Sequence, residues 1–124
     1  MVLIVPDVHY PVHDWRAVSV LEAAAADLGP DAIVQLGDYL ELGALGRFTT
    51  QQDSEGQRLV ADARLGGKGL AKLLGAARKK NPGCRLWVLQ GNHEQRVERL
   101  YGDVPYLDGL FSVPGVLGLV ELEL

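Results

Sequence analysis

Leu86-Trp87-Val88-Leu89-Gln90-Gly91-Asn92-His93-Glu94 is an apolar run that stops at a glycine and continues in three polar side chains able to hold a metal or a phosphate. It has the form of a buried strand that carries chemistry at its tip. Two earlier stretches share that form: Val2-Leu3-Ile4-Val5-Pro6-Asp7-Val8-His9 and Ala32-Ile33-Val34-Gln35-Leu36-Gly37-Asp38. Their continuous apolar runs predict strands covered on both faces, ended by Pro6 in the first case and by glycine in the other two.

Helices are expected between these strands. Asp14 is placed to cap a helix in which Trp15, Val18, Leu21, Ala25 and Leu28 recur at helical spacing, and Gly29-Pro30 stops it. Glu41 to Gln52 is polar and punctuated by glycine, so it reads as a loop with room for one turn of helix. Leu59, Ala63, Leu70, Leu73, Leu74 and Ala77 then line one stripe of a long helix, which Gly66-Gly67 would weaken or break and Asn81-Pro82-Gly83 ends. Beyond Glu94, Val97, Leu100 and Tyr101 predict a short helix, and Leu117 to Leu124 one more strand.

Strand, helix and strand in alternation define an α/β fold with a mainly parallel sheet and right-handed crossovers. The expected arrangement is three-layer-like, with the strand ends at Val5, Leu36 and Gln90 adjacent. In such sheets ligands sit outside the carboxyl ends of the strands. That places Asp7, His9, Asp38, Asn92 and His93 along one edge. If the turn after Val5 stays extended, Asp7 and His9, two residues apart, point to the same side and can grip one cation.

The totals are those of a single domain spanning 1–124, with a hydrophobic fraction of 48% that can supply a core. A formal net charge of −4 argues against a strong non-specific grip on nucleic-acid backbone, while leaving room for a phosphorylated substrate held through metal ions. Cys84 is the sole cysteine, which excludes an intramolecular disulfide and a Cys-rich zinc site and fits a reduced, cytoplasmic setting. The N-terminal apolar run is too short and lacks the basic flank of a signal peptide, and Pro114, Gly115, Gly118 and Glu121 interrupt the apolar tail, so no membrane span is expected. A nucleotide-binding α/β domain would need a Gly-rich loop after the first strand, where Pro6-Asp7-Val8-His9 stands instead.

Asp7-Val8-His9, Gly37-Asp38-Tyr39-Leu40-Glu41 and Gly91-Asn92-His93-Glu94 together resemble the motifs of the calcineurin-like metallophosphoesterase family. Order and spacing agree from residue 2 to about residue 100, and Pro11-Val12-His13-Asp14 with Arg96 looks like the small phage and bacterial members. The resemblance implies that Asp7 and His9 hold a first metal, that Asp38 bridges two, and that Asn92 gives its side-chain oxygen to the second. His93 would then approach the leaving-group oxygen and donate a proton or a hydrogen bond, which with Asp38 makes up the implied catalytic pair. Two cations about 3.5 to 4 Å apart need a shared carboxylate between them, and together they activate water and neutralise phosphoryl oxygens. Hard oxygen and nitrogen ligands without thiolate suit Mn, Fe, Zn or Mg.

One departure from the family pattern stands out: no histidine follows His93, whereas the family has a lone His and a Gly-His-x-His downstream. The reading is therefore a truncated metallophosphoesterase-like fold whose C-terminal half is missing. The expected function is metal-dependent hydrolysis of phosphomonoesters or phosphodiesters, incomplete without those ligands. The expected substrates are phosphorylated small molecules or nucleic-acid phosphodiesters. The expected partners are a second copy of the chain or a complementing C-terminal fragment. The alternative is a non-catalytic metal- or partner-binding domain that keeps the fold. His13 lies four residues after His9, but Pro11 between them argues against a zinc-binding helix and for a loop position near the site. Arg96 and Arg99 follow the third motif, either reaching a substrate phosphate or forming a solvated face.

Overall fold

The computed structural model describes residues 1–52 and 57–118. Three parallel strands, β1 (Val2–Val5), β2 (Ala32–Gln35) and β3 (Arg85–Val88), pair in the order β1-β2-β3, with Val5 beside Gln35 and Gln35 beside Val88. The last two strands are shorter than their apolar runs. Leu36 and Leu89 still donate across the sheet, to Val5 O at 3.0 Å and Gln35 O at 2.8 Å.

Helix α1 (Trp15–Leu28) carries the first crossover and α2 (Leu59–Arg78) the second. Asp14 caps α1 as expected, its carboxylate accepting from Arg16 N at 2.9 Å and Ala17 N at 3.3 Å. Gly29 closes the helix in the left-handed region. Helix α2 runs unbroken through Gly66-Gly67 because these glycines are points of close approach. A Cβ on Gly66 would lie 2.7 Å from Leu40 Cδ2, and one on Gly67 would lie 2.5 Å from Leu117 O. The roughly 1 kcal/mol that each glycine costs a helix is offset by the packing it admits.

The chain continues in α3 (Gln95–Asp103), a 3-10 turn at Pro105–Leu107 and α4 (Val113–Leu117), which packs on α2. Leu117 thus ends a helix instead of starting a strand, and the rest of that expected strand lies outside the described residues.

Successive strands added in one direction through right-handed crossovers put α1 and α2 on the same side of the sheet, where they pack on each other. Leu3, Val5, Ile33, Leu86 and Val88 face this helical layer and join the core with Ala25, Leu70, Leu74 and Ala77. The opposite face is uncovered among the described residues: Ile4 is 59% and Trp87 54% exposed, with Val2, Leu36 and Leu89 beside them. Burial on both faces and a three-layer arrangement are therefore corrected to two layers. An apolar strand run shows that a residue is suited to burial, and the strand order decides which face receives a helix.

Candidate metal centre

The site is built from the three turns that leave β1, β2 and β3. The first two are laced together by backbone bonds from His9 N to Asp38 O at 3.1 Å, Tyr10 N to Tyr39 O at 2.8 Å and Glu41 N to Tyr10 O at 2.8 Å. The turn after Val5 is not extended. Asp7 and His9 have φ of 45° and 58°, and Asp38 has φ of 51°. Left-handed geometry at a non-glycine residue costs about 1–3 kcal/mol and persists only where the surroundings enforce it. The effect here is to turn Asp7, His9 and Asp38 toward one another.

Asp7, His9 and Asp38 each offer a donor atom, and these atoms all lie within 4.8 Å of one another. His9 Nε2 faces Asp7 Oδ1 at 3.9 Å, while its Nδ1 lies 2.7 Å from Glu41 Oε2. A carboxylate on Nδ1 places the proton there and leaves Nε2 with a lone pair for a cation, a common arrangement behind metal-bound histidines. His9, Glu41 and His93 form a second such group. In sequence Glu41 is no more than the last residue of its motif, yet in the fold it links both histidines, and the chemistry of this donor set fits a divalent cation.

The Asn92 side-chain amide lies 2.8 Å from Asp38 Oδ2, and His93 N donates to Asp38 Oδ1 at 2.9 Å. The third turn is thereby docked on the second. His93 Nδ1 meets Glu41 O at 2.7 Å, and His93 Nε2 lies 3.2 Å from Arg96 Nη2. Because a guanidinium only donates, Nε2 is the acceptor and Nδ1 carries the proton. Arg96 also donates to Glu41 O at 3.0 Å, which ties α3 to the second turn.

Glu94 does not face the cation position. It is 1% exposed, and its Oε2 accepts from Asp38 N and Gly91 N, both at 2.9 Å, while Oε1 accepts from Leu40 N at 2.8 Å. Gln35, fully buried at the end of β2, grips the same turn from the other side through Gly37 N and Gly37 O, each at 2.8 Å. The two motif glycines meet between these clamps. A Cβ on Gly37, whose φ is 105°, would lie 2.7 Å from Gly91 Cα.

The sequence reading missed Gln35, although a lone amide at the end of an otherwise apolar strand was the available signal. His13 joins neither donor group: its ring stacks on Tyr10 with centroids 3.9 Å apart. Behind the site, burial above all and then the neighbouring Tyr10 raise the Tyr39 hydroxyl far above the ordinary tyrosine range. It therefore stays protonated and donates to Gly66 O at 3.0 Å.

A sheet of three parallel strands with donor-bearing turns at every carboxyl end defines an α/β fold with a candidate metal centre at one edge of the sheet. The family model for calcineurin-like phosphoesterase matches residues 1–122, and the chain belongs to that family. No curated protein and no solved structure matches it. Membership implies divalent metal binding and phosphoesterase chemistry at the level of the family. Among the described residues, no helix is long and apolar enough to cross a membrane.

Proposed function

We propose that this chain is a single metallophosphoesterase-like domain that hydrolyses phosphomonoesters or phosphodiesters at a centre of two divalent cations. The observation that carries the reading is convergence. Asp7, His9 and Asp38, from two strand ends, bring donor atoms within 4.8 Å, and Asn92 from the third strand end is bonded to Asp38. Asp7 and His9 hold one cation, Asp38 is shared, and Asn92, whose side-chain amide lies against the Asp38 carboxylate, gives its oxygen to the other. Bound cations supply Lewis acidity toward the phosphoryl oxygens and a water acidic enough to act as nucleophile.

Glu41 keeps His9 in the tautomer a cation requires. His93 faces the leaving oxygen, and Arg96 occupies its Nε2, so turnover requires Arg96 to yield that position. No histidine follows His93, and the positions on the second cation that Asp38 and Asn92 leave open are taken by water, by a second copy of the chain or by a complementing segment. The lone, buried Cys84 fits a cytoplasmic protein of the small phage or bacterial type, with Mn, Fe, Zn or Mg as the metal.

The test is metal uptake by calorimetry beside hydrolysis of a chromogenic phosphodiester. Asp38→Ala should abolish uptake of at least one cation, because it removes an anionic ligand from each position. His93→Ala should still take up metal while turnover falls roughly 10²- to 10⁴-fold, the usual loss for a proton-transfer group. Normal uptake by Asp38→Ala, or equal loss of metal in both variants, would overturn the roles. Uptake by the parent chain without hydrolysis, complementing segment included, would make it a binding module.

A further inference from the structure

Although the chain carries a formal net charge of −4, three arginines gather on one side of the phosphoesterase centre. Arg47, from the segment after the second motif, and Arg96 and Arg99, from α3, line a cleft of about 550 Å³ whose wall also includes Asn92. Arg96 donates, among the described residues, only to backbone carbonyls and His93, and Arg99 reaches Leu45 O at a long 3.5 Å. Among the described residues, none of the three guanidinium groups is ion-paired with a carboxylate. Glu98 is the single acidic group among the described residues of the wall, so they give the cleft a net positive charge. Three cations brought together with one carboxylate among them keep a net repulsion, and an anion is what relieves it.

Beside them stands Phe48, 95% exposed on the same wall. A large apolar ring left almost wholly in water beside arginines is the pairing that proteins use to take a base on a π-face and the attached phosphate on cationic side chains. Gln95, also on the wall, offers an amide to a base edge. The volume suits one small ligand. Asn92 joins the cleft to the candidate metal centre, so a ligand seated here would present a phosphate to that centre.

We propose that Arg47, Phe48, Arg96 and Arg99 form a nucleotide-binding cleft, with the base stacked on Phe48 and a phosphate held among the arginines. This names the substrate class of the centre and rests on the phosphoesterase reading for the fate of the bound nucleotide, though binding itself needs no metal. The nucleotide unit comes either free or within a single strand. The chain's negative charge away from this cleft favours the free nucleotide.

The experiment measures binding by calorimetry with the full chain in excess chelator, using AMP, ribose 5-phosphate, inorganic phosphate and a single-stranded decanucleotide. AMP should bind at least tenfold more tightly than ribose 5-phosphate. Phe48→Ala should erase that difference, and Arg99→Ala should weaken AMP and ribose 5-phosphate together by about tenfold. Equal binding of AMP and ribose 5-phosphate by the parent chain, or no binding of either, overturns the proposal. AMP and the decanucleotide binding alike supports it with a free nucleotide as ligand, and a decanucleotide that binds far more tightly supports it with a strand as ligand. Circular dichroism of both variants, each altered at a side chain outside the core, confirms that a loss is not unfolding. Hydrolysis of a chromogenic phosphodiester without nucleotide binding would sink the cleft and spare the phosphoesterase reading. Nucleotide binding without hydrolysis under any divalent metal would do the reverse.

Discussion

A carboxylate as deeply buried as that of Glu94 survives in a protein interior only if the groups around it replace water, and here three backbone N–H groups from two different turns do so. Glu94→Gln tests this directly. Whichever way the new amide is turned, its NH₂ opposes at least one of the N–H groups of Leu40, Asp38 or Gly91, leaving a buried donor unsatisfied at a cost of about 1–3 kcal/mol. The expected result is a lowered melting temperature and weakened metal uptake, although Glu94 touches no cation. An unchanged melting curve and calorimetric titration would show that the turns hold without it. That Asp7, His9, Asp38 and Asn92 come together at one edge of the sheet was legible because their residue types and their places after apolar runs sufficed. The inward turn of Glu94 and the link that Glu41 makes between His9 and His93 were not. Both depend on left-handed backbone at Asp7, His9 and Asp38, which side-chain chemistry alone does not announce.

Among the elements, the local signals of capping and stopping were the most legible. Asp14 and Gly29 bound α1 as their types predict, because a cap is satisfied within a few residues of itself. Asp14→Ala should therefore cost about 1 kcal/mol of stability, visible as a small fall in melting temperature, with hydrolysis unchanged because the cap contacts no donor residue. A loss of activity without loss of stability would mean that Asp14 serves the site instead. The glycines of α2 were misjudged for the opposite reason. Intrinsic propensity marks Gly66 and Gly67 as weak points, whereas their function is set by Leu40 and Leu117, distant in sequence and brought near only by the fold. The expected final strand likewise met a helical turn at Leu117, where Ser112 caps α4 by accepting from Gly115 N at 3.1 Å.

For the molecule as a whole, the alternation of strands and helices was enough to predict a parallel sheet with its chemistry at one edge, but not the order in which the strands lie. Among the described residues, that order leaves Val2, Ile4, Leu36, Trp87 and Leu89 on an uncovered face, an apolar surface of the kind that binds hydrophobic probes. The folded chain should enhance the fluorescence of an anilinonaphthalene dye, and Ile4→Lys with Trp87→Lys should remove most of that signal while leaving circular dichroism intact. A dye response untouched by the double variant would place the probe elsewhere. The clamp at Glu94 has a kinetic consequence as well. Its bonds to Asp38 N and Leu40 N close loops across 56 and 54 residues, and that loop-closure entropy must be met before the third turn's contacts with the second contribute. The first forty residues contain Asp7, His9 and Asp38 but neither Glu41 nor the third turn with Asn92 and His93. The complete centre, with Asn92 and His93 in place, therefore depends on pairing of the third strand with the second, a contact made across more than fifty residues.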